Sequence, residues 1–195
     1  MRLMNEINDS MDKDDDFVIV DGGDTRVWME MTRTVRKPGH YLDSGLFGCL
    51  GVGLPYAITA KALNPDSRVC LVVGDGSVGF NFMEFETAVR KQIPVVVVVN
   101  NDFGWGMIRN SQKLNIGHAI DTGTLIGNVP YHDMVTAMGG FGLVVEKPDD
   151  IRPALERAFR SGKTTCINVV TDPNVISPGS VALASIGTAR AQEKN

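Results

Sequence analysis

The sequence predicts an α/β fold: a doubly wound, mainly parallel sheet with helices on both faces. Two observations carry this expectation. Short β-branched runs alternate with longer amphipathic stretches, which is the pattern of βαβ units. Pro94 is followed by five consecutive valines, Val95 to Val99, apolar on both faces as a central strand covered on each side must be. The 195 residues, 43% hydrophobic and 22% charged, suit one large soluble domain and exclude a disordered tail, a collagen-like repeat or a coiled coil.

Residues 1–16 hold six acids (Glu6, Asp9, Asp12, Asp14, Asp15, Asp16) against Arg2 and Lys13. They read as an acidic N-terminal extension preceding a domain over 17–187, with a polar, frayed tail at 188–195. The spacing predicts strands over Phe17–Asp21, Val69–Gly74, Pro94–Asn100, Gly142–Glu146 and Thr165–Thr171. Between them it predicts helices over Thr25–Thr34, Gly48–Ala62, Asn81–Lys91, His132–Met138 and Pro148–Ser161. Asn81 three residues before Glu84 reads as an N-cap with an acid in the first turn. Pro148-Asp149-Asp150 opens the last helix and Ser161-Gly162 closes it.

The acidic head accounts for the whole formal charge of −4, so the remaining residues balance. Without a clustered Lys/Arg surplus there is no footprint for a nucleic-acid backbone. No run approaches the roughly 20 apolar residues of a membrane span, and no signal peptide is evident, so a cytoplasmic location is expected. Cys49, Cys70 and Cys166 are far apart with no C-x-x-C spacing, and read as buried small hydrophobes rather than a disulfide or zinc framework.

The chemistry concentrates at Leu71-Val72-Val73-Gly74-Asp75-Gly76-Ser77-Val78-Gly79, a glycine-rich turn directly behind a buried strand and ahead of a helix. Glycines let backbone N–H groups approach an anion there. Gly74, Gly76 and Gly79 satisfy G-x-G-x-x-G, but an earlier strand precedes the turn and the next one ends in Asn100-Asn101 instead of a ribose-binding acid. Asp75 and the asparagine pair fall at carboxyl ends of what should be adjacent strands, where one carboxylate and one amide oxygen can converge on a cation. Mg²⁺ takes six oxygens and commonly shares them among one or two carboxylates, water and the phosphates of a ligand. Asp75 as a plain turn former is the alternative.

Gly74-Asp75-Gly76, a helix-length interval and Asn100-Asn101 together resemble the thiamine-diphosphate signature of the pyruvate decarboxylase and acetolactate synthase superfamily. The resemblance runs from about Phe17 to Pro173 and is to the C-terminal, diphosphate-binding domain. It implies Mg²⁺ on the side-chain oxygens of Asp75 and Asn101 and the backbone carbonyl of Phe103, with diphosphate held by Gly76 N–H and the Ser77 hydroxyl. Asp43 to Pro55 resembles the segment that cradles the aminopyrimidine, with the Gly48 carbonyl accepting from the amino group and Leu50 wedged between the rings. Asp21 to Trp28 resembles the first diphosphate-contacting loop and adds Gly23 and Asp24. Gly104 and Trp105, with Met107 and Ile108, are implied as cofactor-pocket residues.

Glu84 and Glu86 read as helix support, not catalytic acids. His118, in the irregular stretch after Trp105, is a candidate whose alternative is a plain surface role. In the family, the cofactor supplies its own base once a glutamate of a separate pyrimidine-binding domain engages its ring. No segment here corresponds to that domain, so the catalytic residue is expected from a partner domain or subunit in a homo- or hetero-oligomer. The implied activity is decarboxylation or carboligation of a small 2-oxo acid, with a benzaldehyde-lyase-like or 2-hydroxyacyl-CoA-lyase-like cleavage of a 2-hydroxy-carbonyl compound as the alternative. An NAD-binding oxidoreductase domain or a non-catalytic subunit are the readings of another class.

Overall fold

The run of valines is the middle of the sheet: Val95 to Val99 are between 0% and 4% exposed. Residues 1–182, 184 and 185 are described by a computed structural model, and the expected tail 188–195 lies outside them. In chain order the elements are α1 (Arg2–Ser10), β1 (Phe17–Asp21), α2 (Gly23–Glu30), β2 (Tyr41–Leu42), α3 (Gly53–Leu63), β3 (Val69–Gly74), α4 (Asp75–Val78), α5 (Glu84–Arg90), β4 (Val96–Asn101), α6 (Gly106–Ile116), α7 (Asp121–Thr124), α8 (Tyr131–Ala137), β5 (Phe141–Val145), α9 (Ile151–Ser161) and β6 (Thr165–Val170). The strands form one sheet in the order β2-β1-β3-β4-β6-β5, every pair parallel.

Side chains alternate across the strands and build two cores. Val18, Val20, Cys70, Val72, Val96, Val98 and Ile167 pack with Met29 of α2 and with Ile151, Ala154, Leu155 and Ala158 of α9. Ile19, Leu71, Val73, Val97, Val99 and Cys166 pack with Leu54 and Ala57 of α3, Phe85 of α5 and Val135 of α8. The sheet is doubly wound, as expected. β2 lies on one side of β1 and β3 on the other, so the chain reverses direction there and opens a crevice at the carboxyl ends of β1 and β3.

Residues 1–16 do not precede the fold. α1 buries Leu3, Met4 and Ile7, and with Met11 they join the first core against α9. The acids that looked like an isolated charge block find partners elsewhere in the chain. Asp16, 2% exposed, is bidentate to Arg68, with Arg68 Nε donating to Oδ1 at 2.8 Å and Nη2 to Oδ2. Asp12 lies 3.2 Å from Arg68 Nη2, Asp15 is 2.9 Å from Lys37 Nζ, and Glu6 is 2.7 Å from Arg152 Nη2. Charge that is segregated in sequence is paired in space.

Other boundaries shift for local reasons. Instead of starting at Gly48, α3 starts at Gly53, because Gly48 and Gly51 hold left-handed backbone (φ 61° and 86°) that no helix continues through. Asn81 caps nothing: α5 starts after Met83 without a side-chain cap, and Asn81 Nδ2 instead donates to the Gly51 carbonyl at 2.7 Å. α6 has only Asn110 buried, so its sequence carries no apolar stripe and reads as irregular. Cys70 and Cys166 are buried as expected, whereas Cys49 is exposed. No helix among the described residues is long and apolar enough to cross a membrane.

Candidate functional site

The crevice at the carboxyl ends of β1, β3 and β4 is a cavity of about 420 Å³, large enough for a small-molecule cofactor. Of the residues singled out in the sequence, Gly23, Asp24, Gly48, Leu50, Gly74, Asp75, Gly76, Ser77, Gly104 and Trp105 line it, while Asn101 and Phe103 do not. Gly74 pairs with Asn100 in the β3–β4 register, which brings Asp75 and Asn101 to the same end of neighbouring strands.

Asp75 is 3% exposed. Its Oδ1 accepts from the Gly76 N–H at 2.8 Å, and its Oδ2 is buried without a hydrogen-bond partner. Burial, and then the charge of nearby Asp102, push its carboxyl up to about 7. Burial and the charge of Asp24 push Asp102 up to about 6. A buried carboxylate with one oxygen unpartnered and its ionisation opposed has the chemistry of a cation ligand. Among the described residues no group of three or more His, Cys, Asp or Glu side chains could hold a metal by itself. A cation here would therefore draw its remaining oxygens from amides, water and a bound ligand.

Asn101 is fully buried. Its Nδ2 donates to Asn168 Oδ1 at 3.0 Å and its Oδ1 accepts from the Phe103 N–H at 3.2 Å, which leaves that oxygen one free lone pair. The Phe103 carbonyl, implied as a ligand, is already saturated. It accepts from the Ile126 N–H at 2.8 Å and the Gly127 N–H at 3.0 Å, so a metal there would have to displace one of them. Phe103 itself sits at φ 66°, a strained backbone for a residue with a side chain.

Two further implied contact residues are engaged within the chain. The Ser77 hydroxyl donates to Asp21 Oδ1 at 3.0 Å and so has no proton left for a phosphate. Asp24 lines the cavity, but its carboxylate accepts from the hydroxyls of Ser177 and Ser180 and from Asn110 Nδ2. It fastens the chain after β6 to α2 and α6. Gly76 is required for close approach, since a Cβ there would lie 2.7 Å from the Trp105 ring. That ring also meets Phe80 edge-on at 5.9 Å.

The exposed His118 contacts its neighbour Ile116, with Nδ1 3.2 Å from that carbonyl oxygen, and does not line the cavity. Glu86 pairs with Arg90 on the surface of α5, in keeping with helix support. Asn100 ties β4 to α2 through Nδ2 and Thr25 Oγ1, 3.1 Å apart.

Residues 21–169 match the family model of the thiamine pyrophosphate enzyme C-terminal TPP-binding domain. The chain belongs to the thiamine pyrophosphate enzyme family. It is 39% identical over 178 residues to a probable acetolactate synthase of Mycobacterium bovis, covering 91% of this chain and 32% of that protein. It is 40% identical over 163 residues to a 2-hydroxyacyl-CoA lyase of Oryza sativa subsp. japonica, covering 80% of this chain and 28% of that one. A 2-hydroxyacyl-CoA lyase 2 of Homo sapiens is 34% identical over 175 residues, or 87% and 27%. The chain thus spans about a third or less of the length of these relatives.

Three residues that carry no motif signal as site residues support the cavity-lining residues from behind. Asp21 accepts from Ser77 Oγ and from the Gly53 N–H at 2.9 Å, pinning the Gly74–Gly79 turn to the start of α3. Asn168 orients the Asn101 amide. Tyr131 donates from its hydroxyl to the Asp75 carbonyl at 3.0 Å. Asn168 had a signal: a polar residue inside the apolar strand Cys166-Ile167-Asn168-Val169 needs a partner.

Proposed function

We propose that this chain is the diphosphate-binding part of an acetolactate-synthase-like enzyme that uses thiamine diphosphate and Mg²⁺ to decarboxylate or ligate small 2-oxo acids. The observation that carries the metal is the unpartnered, buried Oδ2 of Asp75. Asp75 Oδ2 and Asn101 Oδ1 would hold Mg²⁺, and Phe103 would join only by giving up a bond to Ile126 or Gly127. The Gly76 N–H would hold a diphosphate oxygen only by giving up its bond to Asp75 Oδ1, and Gly48 and Leu50 would meet the aminopyrimidine.

When bound, thiamine diphosphate supplies a carbon nucleophile that attacks a carbonyl carbon. This chain's part is to bind and orient. Asp75 would offset part of the metal's charge, Asn168 would fix which face of the Asn101 amide points to it, and Trp105 and Met107 line the cavity. The activating glutamate would come from a pyrimidine-binding domain on another part of the enzyme, in the same polypeptide or another. Cleavage of a 2-hydroxyacyl-CoA is the second reading, favoured by a rice relative at the same level of identity. The family membership sets aside the NAD-binding reading.

Isothermal titration of the chain with thiamine diphosphate tests the cofactor. Mg²⁺-dependent binding that disappears in Asp75→Ala is expected, and metal-independent binding of NAD would overturn the reading. Mixing with the pyrimidine-binding part and following pyruvate against 2-hydroxyacyl-CoA consumption separates the two activities.

A further inference from the structure

The loop over 43–52, which carries Gly48 and Leu50, turns the apolar side chains at its centre to solvent. Leu46 and Phe47 are 104% and 93% exposed. Polar bonds at its two ends hold it instead. At one end Arg26 of α2 donates from Nη1 to the Gly45 carbonyl at 2.8 Å, with its Nε 3.2 Å from Asp43 Oδ2 and 2.7 Å from Glu30 Oε1. Asp43 Oδ1 in turn accepts from the Gly45 N–H at 2.6 Å, so Arg26, Asp43 and Gly45 close a ring. At the other end Asn81 Nδ2 donates to the Gly51 carbonyl at 2.7 Å.

The two anchors come from the two glycine turns. Arg26 stands on the helix that begins at Gly23, and Asn81 follows two residues after Gly79 at the end of the Gly74–Gly79 turn. Arg26–Glu30 alone would be an ordinary surface i,i+4 pair of little consequence. The bond to Gly45, nineteen residues away, is what gives the guanidinium a structural task, because its planar fork can hold a carboxylate and a carbonyl at once.

We propose that Arg26 and Asn81 are positioning residues that set the 43–51 loop, and with it Gly48 and Leu50, at a fixed height above the diphosphate turns. The proposal rests on the thiamine-diphosphate reading of the cavity. Without the clamps, loop residues would have to be ordered by the ligand itself, at a cost drawn from its affinity. A ligand that touches only the glycine turns would be unaffected.

The test uses the whole chain in Mg²⁺ and two probes in isothermal titration: inorganic diphosphate, which reads the turns alone, and thiamine diphosphate, which reads turns and loop. Wild type should bind thiamine diphosphate more tightly than diphosphate. Arg26→Gln and, independently, Asn81→Ala should each weaken thiamine diphosphate by roughly tenfold, as loss of a hydrogen bond to a charged or buried group does, with diphosphate within about twofold of wild type. Thermal melting of both variants checks that they fold, and one variant suffices if the other does not. Equal loss of both probes would mean that Arg26 or Asn81 touches the diphosphate, and no loss of either would mean that the clamps are idle; each overturns the proposal, as does a wild type without preference between the probes. A wild type that binds neither probe instead removes the cofactor reading beneath it.

Discussion

Replacing Asp75 by Asn separates what this carboxylate does to the fold from what it would do for a cation. The side chain is 3% exposed, Oδ2 has no partner, and burial with Asp102 beside it raises the carboxyl to about 7. A carboxyl whose value is raised in the folded state opposes folding when ionised. The penalty is absent below about pH 4, grows as pH rises to about 7, and stays constant above. At about 1.4 kcal/mol per pH unit, the gap between the ordinary carboxylate value and about 7 sets a ceiling of about 4 kcal/mol. The amide N–H₂ that replaces Oδ2 takes back about 1–3 kcal/mol where it finds no acceptor. The net gain is therefore about 1–3 kcal/mol, and at about 2–4 °C per kcal/mol for a chain of this size the metal-free variant should melt several degrees above wild type at pH 8 but no higher than wild type at pH 4, where the ionisation penalty is gone and only the cost of the unpartnered amide remains. Saturating Mg²⁺ and thiamine diphosphate should reverse the order, since ligand at a hundred times its Kd adds about 2.7 kcal/mol to the form that binds it. Scanning calorimetry at both pH values, with and without the ligands, reads all four cases. A variant that melts no higher than wild type at pH 8 without metal, or that gains as much as wild type from the ligands, refutes the argument.

Asn168→Ala removes the acceptor that orients the Asn101 amide and should weaken Mg²⁺-dependent thiamine diphosphate binding by about 10–100-fold, whereas Asn168→Asp keeps the acceptor and should retain most of it; titration of both variants checks this. Ile7→Ala removes a fully buried side chain of the N-terminal helix and should lower stability by about 2–5 kcal/mol, measured by urea unfolding; an unchanged midpoint would mean that the helix is not part of the core.

The fold was legible where burial acts on both faces of the chain. β1 and β3 have the bounds expected from sequence, because Phe17–Asp21 and Val69–Gly74 are short apolar runs closed by polar or glycine residues. Helices were legible only where an apolar stripe exists, as on α9, whose Ile151, Ala154, Leu155 and Ala158 face the core. α6 has no such stripe, and α1 was hidden by Glu6 within it and by the acids from Asp9 to Asp16 that follow Ile7. Those acids suggested solvent, yet their partners Arg68, Lys37 and Arg152 lie 22 or more residues away and can be matched to them only in space.

The site divides in the same way. The sequence by itself determined the family, five of the six strands and most of the named residues that line the cavity, because Gly74-Asp75-Gly76 and Asn100-Asn101 are local signals at strand ends. Hydrogen-bond commitments decided which of those residues are free to act, and these depend on groups far apart in the chain. Ser77 is spent on Asp21, Asp24 on Ser177 and Ser180, and the Phe103 carbonyl on Ile126 and Gly127. Among the described residues, Asp75 Oδ2 alone of the carboxylate oxygens lining the cavity is buried without a partner, a property of the packing around it, and that is what turns a glycine-turn aspartate into a candidate cation ligand.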